Sequence, residues 1–330
     1  MPHVIPYIPG DSVGGELGLS VQRILRTFGF DLLLKTVDPP KAAQPSEEID
    51  LSRYVEAIEN SPYCLKGRLE RPSRGDGPDP NAELRRRAGL FATVVPIFNH
   101  YDIPCRHQNV DLIIVRESSE GLYVGEEDRL NADLVTTLKV VTRQASRRVV
   151  DFAFHLAKQE GRRKVTLVHK ANIMKLTDGL FLEEGRRVAQ KHPDVELQTL
   201  IADNAAMQLL KDPKSFDVVV TGNLFGATLS DLAAGLVGGI SNTAAYATDG
   251  SHSLYEALHG IAPELEGKGA ANPLPLLTPV YLLAKRLGFT ERAQDLREAV
   301  RRAVAQGQVT PDLGGTATTR TMIDAILALA

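Results

Sequence analysis

The stretch KVTLVHKANIMK, residues 164–175, places a basic side chain where α/β proteins often carry out chemistry. An apolar run from Val165 to Val168 predicts a strand, and His169 and Lys170 follow directly where that strand ends. Ligands of open α/β sheets bind just beyond the carboxyl ends of the strands. A lysine at a strand end is also typical of a solvated surface residue, so this segment alone leaves both interpretations open.

The elements that would position Lys170 alternate along the chain between two hydrophobic patterns. Residues 3–8 predict a strand that leads into a glycine-rich turn. Continuous apolar runs, which are typical of strands covered on both faces, occur at 110–117, 164–170 and 216–223. Helical periodicity is found at 17–28, 146–159, 177–191 and 296–304, and a polar segment rich in proline and glycine at 71–81 predicts a loop. The alternation predicts an α/β fold with a largely parallel sheet and crossover helices.

The composition narrows the class of protein. The chain has 330 residues, of which 43% are hydrophobic and 24% charged, as is ordinary for a soluble globular protein. With a net charge of −3, the chain has no excess of basic residues to bind nucleic-acid phosphates. It contains no run of about 18 apolar residues, so the sequence predicts no membrane span. The first residues lack the pattern of a signal peptide. We therefore expect a cytoplasmic protein, or one of the mitochondrial matrix if a presequence was removed.

Seven segments, in order, carry a recognisable pattern. They are IPGDSVGGE (8–16), LRRRAGLFA (84–92), VRESSEGLYVG (115–125), VHKANIMK (168–175), NLFGATLSDLAAGL (223–236), ALHGIAPELEGKGAANP (257–273) and DLGGTATT (312–319). With these segments the chain resembles, nearly end to end, the isocitrate/isopropylmalate dehydrogenase family of β-decarboxylating dehydrogenases. The resemblance implies a two-domain α/β fold around one continuous mixed, largely parallel sheet that is not a Rossmann fold. It predicts a NAD-binding domain of residues 1–93 and 239–330, and a domain of residues 94–238 with the dimer contacts and metal ligands.

The reaction of that family explains why such residue types are needed. A 2-hydroxy acid gives a hydride to NAD, and the resulting 3-carboxy ketone loses CO2. Arginines hold the substrate carboxylates bidentately. A divalent ion, Mg2+ or Mn2+, chelates the hydroxyl group and stabilises the enolate. A base takes the hydroxyl proton, and an acid protonates the enol.

The resemblance implies a role for each matching position. Lys170 would act on the base side and Tyr123 on the acid side. The substrate would be bound by Arg85, Arg116, Asn81 and Asn172, and the metal by Asp203 and Asp231. In the family the lysine and the first metal aspartate come from the neighbouring subunit. The chain is therefore expected to form a homodimer, or a hetero-oligomer with a catalytic paralogue.

The cofactor segment implied by the resemblance is HGIAPELEGKGAANP, residues 259–273. It would wrap around the adenosine half of NAD through His259, Gly260, Ala262, Glu264 and Asn272. His259 would stack near the adenine, which Asn272 would contact. The Glu264 carboxylate would accept hydrogen bonds from the ribose hydroxyls, and its charge would repel a 2′-phosphate, which favours NAD over NADP.

Several positions depart from the family pattern. Val95 replaces a substrate-binding arginine, whose charge-assisted hydrogen bond would contribute about 1.5–3 kcal/mol. Ala227 replaces a metal aspartate. Asp79 stands where the isocitrate enzymes have serine, and at about 4 Å it would repel a substrate carboxylate by an amount of order 4 kcal/mol. Arg71 and Arg74 are candidates to offset the lost arginine, although the sequence does not show where either side chain points.

Single residues also have ordinary structural interpretations. Asp231 is compatible with a helix start, Arg116 with a surface position at a strand end, and Tyr123 with a packed aromatic whose hydroxyl reaches water. His259 is equally compatible with an ordinary loop histidine.

Two functions remain open at this point. The first is oxidative decarboxylation of a hydroxy acid, with isocitrate favoured over isopropylmalate, homoisocitrate and tartrate. The second is a non-catalytic regulatory subunit of a NAD-isocitrate dehydrogenase, which Val95 and Ala227 favour. The intact HGIAP cofactor motif, residues 259–263, favours the enzyme.

Overall fold

The computed structural model describes residues 2–38, 50–70, 79–258, 260 and 262–330. The strands are β1 (His3–Ile8), β2 (Leu32–Thr36), β3 (Tyr63–Lys66), β4 (Ala92–Phe98), β5 (Asp111–Glu117), β6 (Glu127–Asn131), β7 (Leu134–Thr137), β8 (Lys164–His169), β9 (Glu196–Ile201), β10 (Val218–Thr221), β11 (Ala244–Thr248) and β12 (Ser253–Ala257). The α-helices are α1 (Gly14–Thr27), α2 (Ser52–Glu59), α3 (Pro80–Arg87), α4 (Arg143–Gln159), α5 (Thr177–Ala189), α6 (Ala202–Lys211), α7 (Asn223–Leu236), α8 (Leu274–Arg286), α9 (Thr290–Ala305) and α10 (Thr319–Leu327).

One large sheet organises these elements. Its ten strands lie in the order β2-β1-β3-β12-β11-β4-β5-β10-β8-β9, while β6 and β7 form a separate antiparallel pair. Neighbours in the large sheet are parallel except at β12–β11, β11–β4 and β4–β5. This arrangement confirms the predicted mixed, largely parallel α/β fold. No helix in the described part of the chain is long and apolar enough to span a membrane.

Apolar side chains cover both faces of the sheet in separate clusters. One cluster joins β1 to α1, α8, α9 and α10, and it includes the predicted core residues Leu17, Val21 and Leu296. Two others lie on opposite faces of β5, β8 and β10, one under α4 and α5 and one under α6 and α7. The domains of residues 1–93 with 239–330 and of 94–238 stay a prediction, because these clusters include residues from both: Tyr101 packs in the first and Ala245 in the last.

The strand register brings several loop starts to one edge of the sheet. Arg116 on β5 pairs with Thr221 on β10, which in turn pairs with Val168 on β8. His169, the last residue of β8, pairs with Ile201 at the end of β9. The side chains that follow these parallel strands therefore lie at the carboxyl edge, as predicted for Lys170.

The predicted loop at 71–81 is wrong at its C-terminal end. Asp79 is the N-cap of α3 and Pro80 is its first residue, so Asn81 is helical. The Asp79 carboxylate accepts from the Asn81 backbone N–H, and proline is preferred at the first helical position. Residues 71–78, with Arg71 and Arg74, lie outside the described residues.

Candidate active site

A buried ion cluster forms where β3 and β12 pair. Glu256 Oε2 lies 2.7 Å from Arg85 Nη1, and Glu256 Oε1 lies 3.4 Å from Lys66 Nζ. Glu256 and Lys66 are almost completely buried. Burial opposes ionisation of Glu256, but the positive charges of Arg85 and then Lys66 hold its pKa below the usual range. Burial lowers the pKa of Lys66 despite the neighbouring carboxylate.

Sequence reasoning found Arg85 but missed Lys66 and Glu256. The two missed residues face each other because β12 and β3 are parallel with Glu256 opposite Lys66. The only local signal for Lys66 and Glu256 was their position, since each is a charged residue near the end of a short, mostly apolar strand. The pairing itself joins segments far apart in the sequence, so no local pattern contains it.

The Asn81 side chain positions this cluster from the first turn of α3. Its Oδ1 accepts from Lys66 Nζ at 2.8 Å and from the Leu69 N–H at 3.1 Å. Its Nδ2 donates to the Leu69 carbonyl at 2.9 Å and to Asp79 Oδ1 at 3.0 Å. Asn81 therefore orients Lys66 and holds the segment around Leu69, whereas a direct contact with substrate stays a prediction.

Arg116 and Tyr123 lie together beside the N-terminus of α7. Arg116 Nε donates to Asn223 Oδ1 at 2.7 Å, and the guanidinium carbon lies 4.7 Å from the centre of the Tyr123 ring. Burial, and next the positive charge of Arg85, lowers the pKa of Arg116. A Cβ at Gly226 would approach Arg116 Cγ to 2.6 Å, so α7 needs glycine there to pack over this arginine. Tyr123 is 44% exposed with its ring against Arg116, so both the acid role and a packed aromatic with an accessible hydroxyl stay open.

Lys170 and Asp203 form a second group at the ends of β8 and β9. The Lys170 ammonium pairs with Asp203, which lies in the first turn of α6. The hydrogen bond from Lys170 is the main cause of the lowered pKa of Asp203. The Lys170 backbone N–H donates to Asp178 Oδ2 at 2.6 Å and fixes the start of the loop. Asn172 is exposed in that loop.

Asp231 lies in the interior of α7, so its interpretation as a helix start is wrong. Its side chain is exposed, one helical turn after the half-buried Ala227. Among the described residues, Asp231 and Asp203 make no hydrogen bond or ion pair with each other. Both are nevertheless accessible carboxylates of the kind that Mg2+ prefers, and Asp203 already holds a cation, the Lys170 ammonium. Their chemistry therefore fits a divalent ion.

The predicted cofactor segment is tied to two other parts of the chain. Ser12 Oγ donates to the Ala262 carbonyl at 3.4 Å, and Asn272 Nδ2 donates to Asp312 Oδ2 at 2.8 Å. The Thr319 N–H donates to the Gly269 carbonyl at 2.8 Å. Glu264 and Gly260 are exposed, and His259 lies outside the described residues. An accessible carboxylate at 264 fits the ribose hydroxyls of NAD.

Two departures from the family pattern have clear structural settings. Val95 is buried in an apolar cluster of β4 and β5, so no basic group extends from this position. The Asp79 carboxylate accepts from the Asn81 side chain and feels the charges of Arg68 and Arg85. These interactions overcome burial and lower its pKa, so Asp79 is ionised at neutral pH.

Comparisons with known proteins identify the family of the chain. A family model described as isocitrate/isopropylmalate dehydrogenase matches residues 4–326. The chain is 38% identical to the mitochondrial NAD-isocitrate dehydrogenase catalytic subunit 5 of Arabidopsis thaliana, covering 98% of this chain and 88% of that one. It is 37% identical to regulatory subunit 1 from the same plant, with coverages of 99% and 89%.

Two further matches extend the range of relatives. The 3-isopropylmalate dehydrogenase of Methanothermobacter thermautotrophicus is 38% identical, covering 94% of this chain and 93% of the relative. The crystal structure of isocitrate dehydrogenase from Methylococcus capsulatus superposes with a TM-score of 0.87 at 36% identity, covering 99% of each chain.

Proposed function

The chain belongs to the isocitrate/isopropylmalate dehydrogenase family, and from that premise we propose that it oxidises and decarboxylates isocitrate to 2-oxoglutarate with NAD. The observation that carries this proposal is the contact of Arg116 with Tyr123 beside the carboxyl edge of the sheet, with Arg85 close enough for its charge to lower the pKa of Arg116. Lys66 adds a third cation, and Glu256 is the carboxylate that pairs with Lys66 and Arg85 in the described part of the chain. The surplus of positive charge suits a substrate with several carboxylates.

The arginines are already oriented for binding. Asn223 holds Arg116 through Nε, and the Tyr123 ring lies against the guanidinium. Glu256 takes one terminal nitrogen of Arg85, and the side chain remains partly accessible. Since both arginines are fixed before substrate arrives, little side-chain entropy is lost on binding.

Proton transfer is assigned to Tyr123 and Lys170. Tyr123 presents an accessible hydroxyl beside Arg116, and Lys170 presents an ammonium at the end of β8. A divalent ion held by Asp203 and Asp231 would polarise the substrate hydroxyl and stabilise the enolate. Asn172 lies two residues after Lys170, near the place proposed for substrate and nicotinamide.

A second subunit would complete this site. The β6–β7 hairpin exposes Leu130, Leu134 and Val135, and the loop after Lys170 exposes Ile173 and Leu176. Exposed apolar side chains that cluster on a hairpin or loop in this way are typical of interaction surfaces. It supports a two-fold dimer, or a hetero-oligomer with a paralogue, in which Lys170 and Asp203 serve the partner's Tyr123. The compartment, cytoplasm or mitochondrial matrix, stays part of the proposal.

The alternative function is a regulatory subunit that binds the same ligands without turnover. Val95 supplies no third arginine, and Ala227 leaves two carboxylates for the metal. Regulatory subunits are among the relatives. A chain that binds isocitrate or NAD but does not convert isocitrate would favour this regulatory function.

A turnover assay separates the two functions. The purified chain alone, with isocitrate, Mg2+ and NAD, should produce NADH and CO2 in equal amounts, and Tyr123→Phe should reduce the rate. Isopropylmalate, homoisocitrate and tartrate serve as competing substrates. Absence of turnover with all four, together with stimulation of a catalytic homologue, would replace the enzyme proposal with the regulatory one.

Restoring the missing metal carboxylate should tighten metal binding. In Ala227→Asp the new side chain lies one turn before Asp231 on α7. We expect the Mg2+ concentration for half-maximal activity to fall about tenfold, which corresponds to about 1.4 kcal/mol. The Ala227→Asn variant, of the same shape without the charge, is the control and should fall by less. Equal Mg2+ requirements in all three proteins would exclude position 227 from the metal site.

Replacing Asp79 with serine should improve isocitrate binding without loss of stability. Serine is also a good N-cap, so α3 keeps its cap while the negative charge near Arg85 is removed. We expect KM for isocitrate to fall several-fold and the unfolding midpoint to change little. Asp79→Ala is the matched control, because it removes the charge and also the cap, at a cost of about 1 kcal/mol. An unchanged KM in both variants would show that Asp79 does not repel the substrate.

A further inference from the structure

A second group of metal-ligating side chains lies on α4, apart from the residues assigned to the reaction. Asp151 and His155 are one helical turn apart on α4, and His192 follows the end of α5. Their ligand atoms all lie within 4.8 Å of one another. Within the described ranges, no other group of three or more histidine, cysteine or acidic residues has its ligand atoms within this distance of one another.

The separations match those around a tetrahedral ion. Asp151 Oδ1 lies 3.0 Å from His192 Nε2, and Asp151 Oδ2 lies 3.5 Å from His155 Nδ1. Ligands bound to zinc at about 2.0–2.1 Å in tetrahedral geometry lie roughly 3.3 Å apart. Asp151 Oδ1 is therefore within a few tenths of an ångström of the required distance from His192, and Oδ2 from His155. His155 Nδ1 also lies 2.9 Å from the Asp151 backbone carbonyl, a hydrogen bond that an ion would replace.

The surrounding structure holds one imidazole and leaves the other adjustable. The His192 side chain is 7% exposed, and its ring stacks on Phe154 with centroids 5.1 Å apart and planes at 19°. The His155 side chain is 60% exposed, so it has room to rotate toward an ion. The His155 and His192 rings are 4.9 Å apart and nearly perpendicular. A fixed ligand beside a mobile one allows an ion to enter from solvent.

We propose that Asp151, His155 and His192 bind a zinc ion, with water as the fourth ligand. Two imidazoles and one carboxylate favour zinc, whereas magnesium prefers carboxylate and water ligands. This donor set differs from that of Asp203 and Asp231, which offer carboxylates alone. The ion links α4 to the turn between α5 and β9, and so stabilises the part of the fold that carries Lys170 and Asp203.

Calorimetric titration of Zn2+ into the untagged, metal-free, full-length protein tests this site. Excess Mg2+ is present to occupy the carboxylate site. We expect one Zn2+ per chain, a rise in the thermal unfolding midpoint with Zn2+ concentration, and visible absorption typical of tetrahedral coordination when Co2+ is used instead. His155→Ala should weaken Zn2+ binding at least about tenfold and remove the thermal shift, because one of three protein ligands is lost.

Two control variants locate the ion. His252 pairs with Asp249 at 2.9 Å without a second imidazole, so His252→Ala should leave Zn2+ affinity unchanged. Asp203→Asn should also leave it unchanged, since that residue belongs to the other site. His155 is used in place of the buried His192 because its loss does not open the core. Equal Zn2+ affinity in wild type and His155→Ala, or loss of binding in Asp203→Asn, would overturn the proposal.

Discussion

Replacing Lys170 with methionine should lower kcat by about 10²–10⁴-fold, the range contributed by a positioned proton-transfer group. Methionine keeps most of the apolar stem, one atom shorter than lysine, but cannot carry a proton. The ammonium is paired with Asp203, so the substitution also leaves that carboxylate without its cation. Steady-state kinetics at saturating isocitrate, Mg2+ and NAD would measure the loss in kcat.

Lys175→Met is the matched control for this experiment. Lys175 is an exposed lysine in the same loop as Lys170, so its replacement removes an equal charge outside the proposed site. We expect kcat to stay within about twofold of wild type, as for most surface substitutions. Similar losses in the two variants would indicate a general effect of loop charge and would remove Lys170 from proton transfer.

Replacing Glu256 with alanine should destabilise the fold by about 3–5 kcal/mol, because removal of one partner leaves buried charges uncompensated. Lys66 and Arg85 would lose their shared carboxylate, and Lys66 is almost completely buried. Urea unfolding at a fixed protein concentration would measure the change in free energy.

The stability loss expected for Glu256→Ala can be tested against a control variant and against pH. Glu298→Ala removes an exposed partner of Arg301 and should cost no more than about 1 kcal/mol. The pKa of Glu256 is depressed in the folded chain, so its contribution is full above the unfolded pKa and is lost as pH falls through the folded pKa. The difference between wild type and Glu256→Ala should therefore shrink in acid. A difference no larger than that of Glu298→Ala at neutral pH would contradict the assigned role of the cluster.

The sequence was sufficient for the features that depend on local patterns. Apolar runs placed β5, β8 and β10, and parallel neighbours then put Lys170 at the carboxyl edge. The boundary of α3 was missed although Asp79 and Pro80 form a recognisable N-terminal signal, because the preceding residues are rich in proline and glycine. Asp231 was ambiguous because Ser230 resembles an N-cap, while α7 begins seven residues earlier at Asn223.

Features that depend on long-range register were outside the reach of sequence patterns. The contact between Lys66 and Glu256 exists because β3 and β12 are parallel neighbours in one sheet, although these two residues are 190 positions apart. Asp151 on α4 meets His192, in the turn after α5, because the two helices pack together. No local sequence pattern contains this contact either. By contrast, the family resemblance pointed to Arg85, Arg116 and Tyr123, and in the fold Arg116 lies against the Tyr123 ring.

Mixed dimers test most directly whether two chains share each active site. Lys170→Met and Tyr123→Phe, each nearly inactive alone, would be unfolded together and refolded at equal concentration. In a two-fold dimer, half of the molecules are mixed, and each of these has one site with both native groups, so activity should recover to about a quarter of wild type. No recovery beyond the sum of the two variants, with mixed dimers verified by mass, would contradict the shared site.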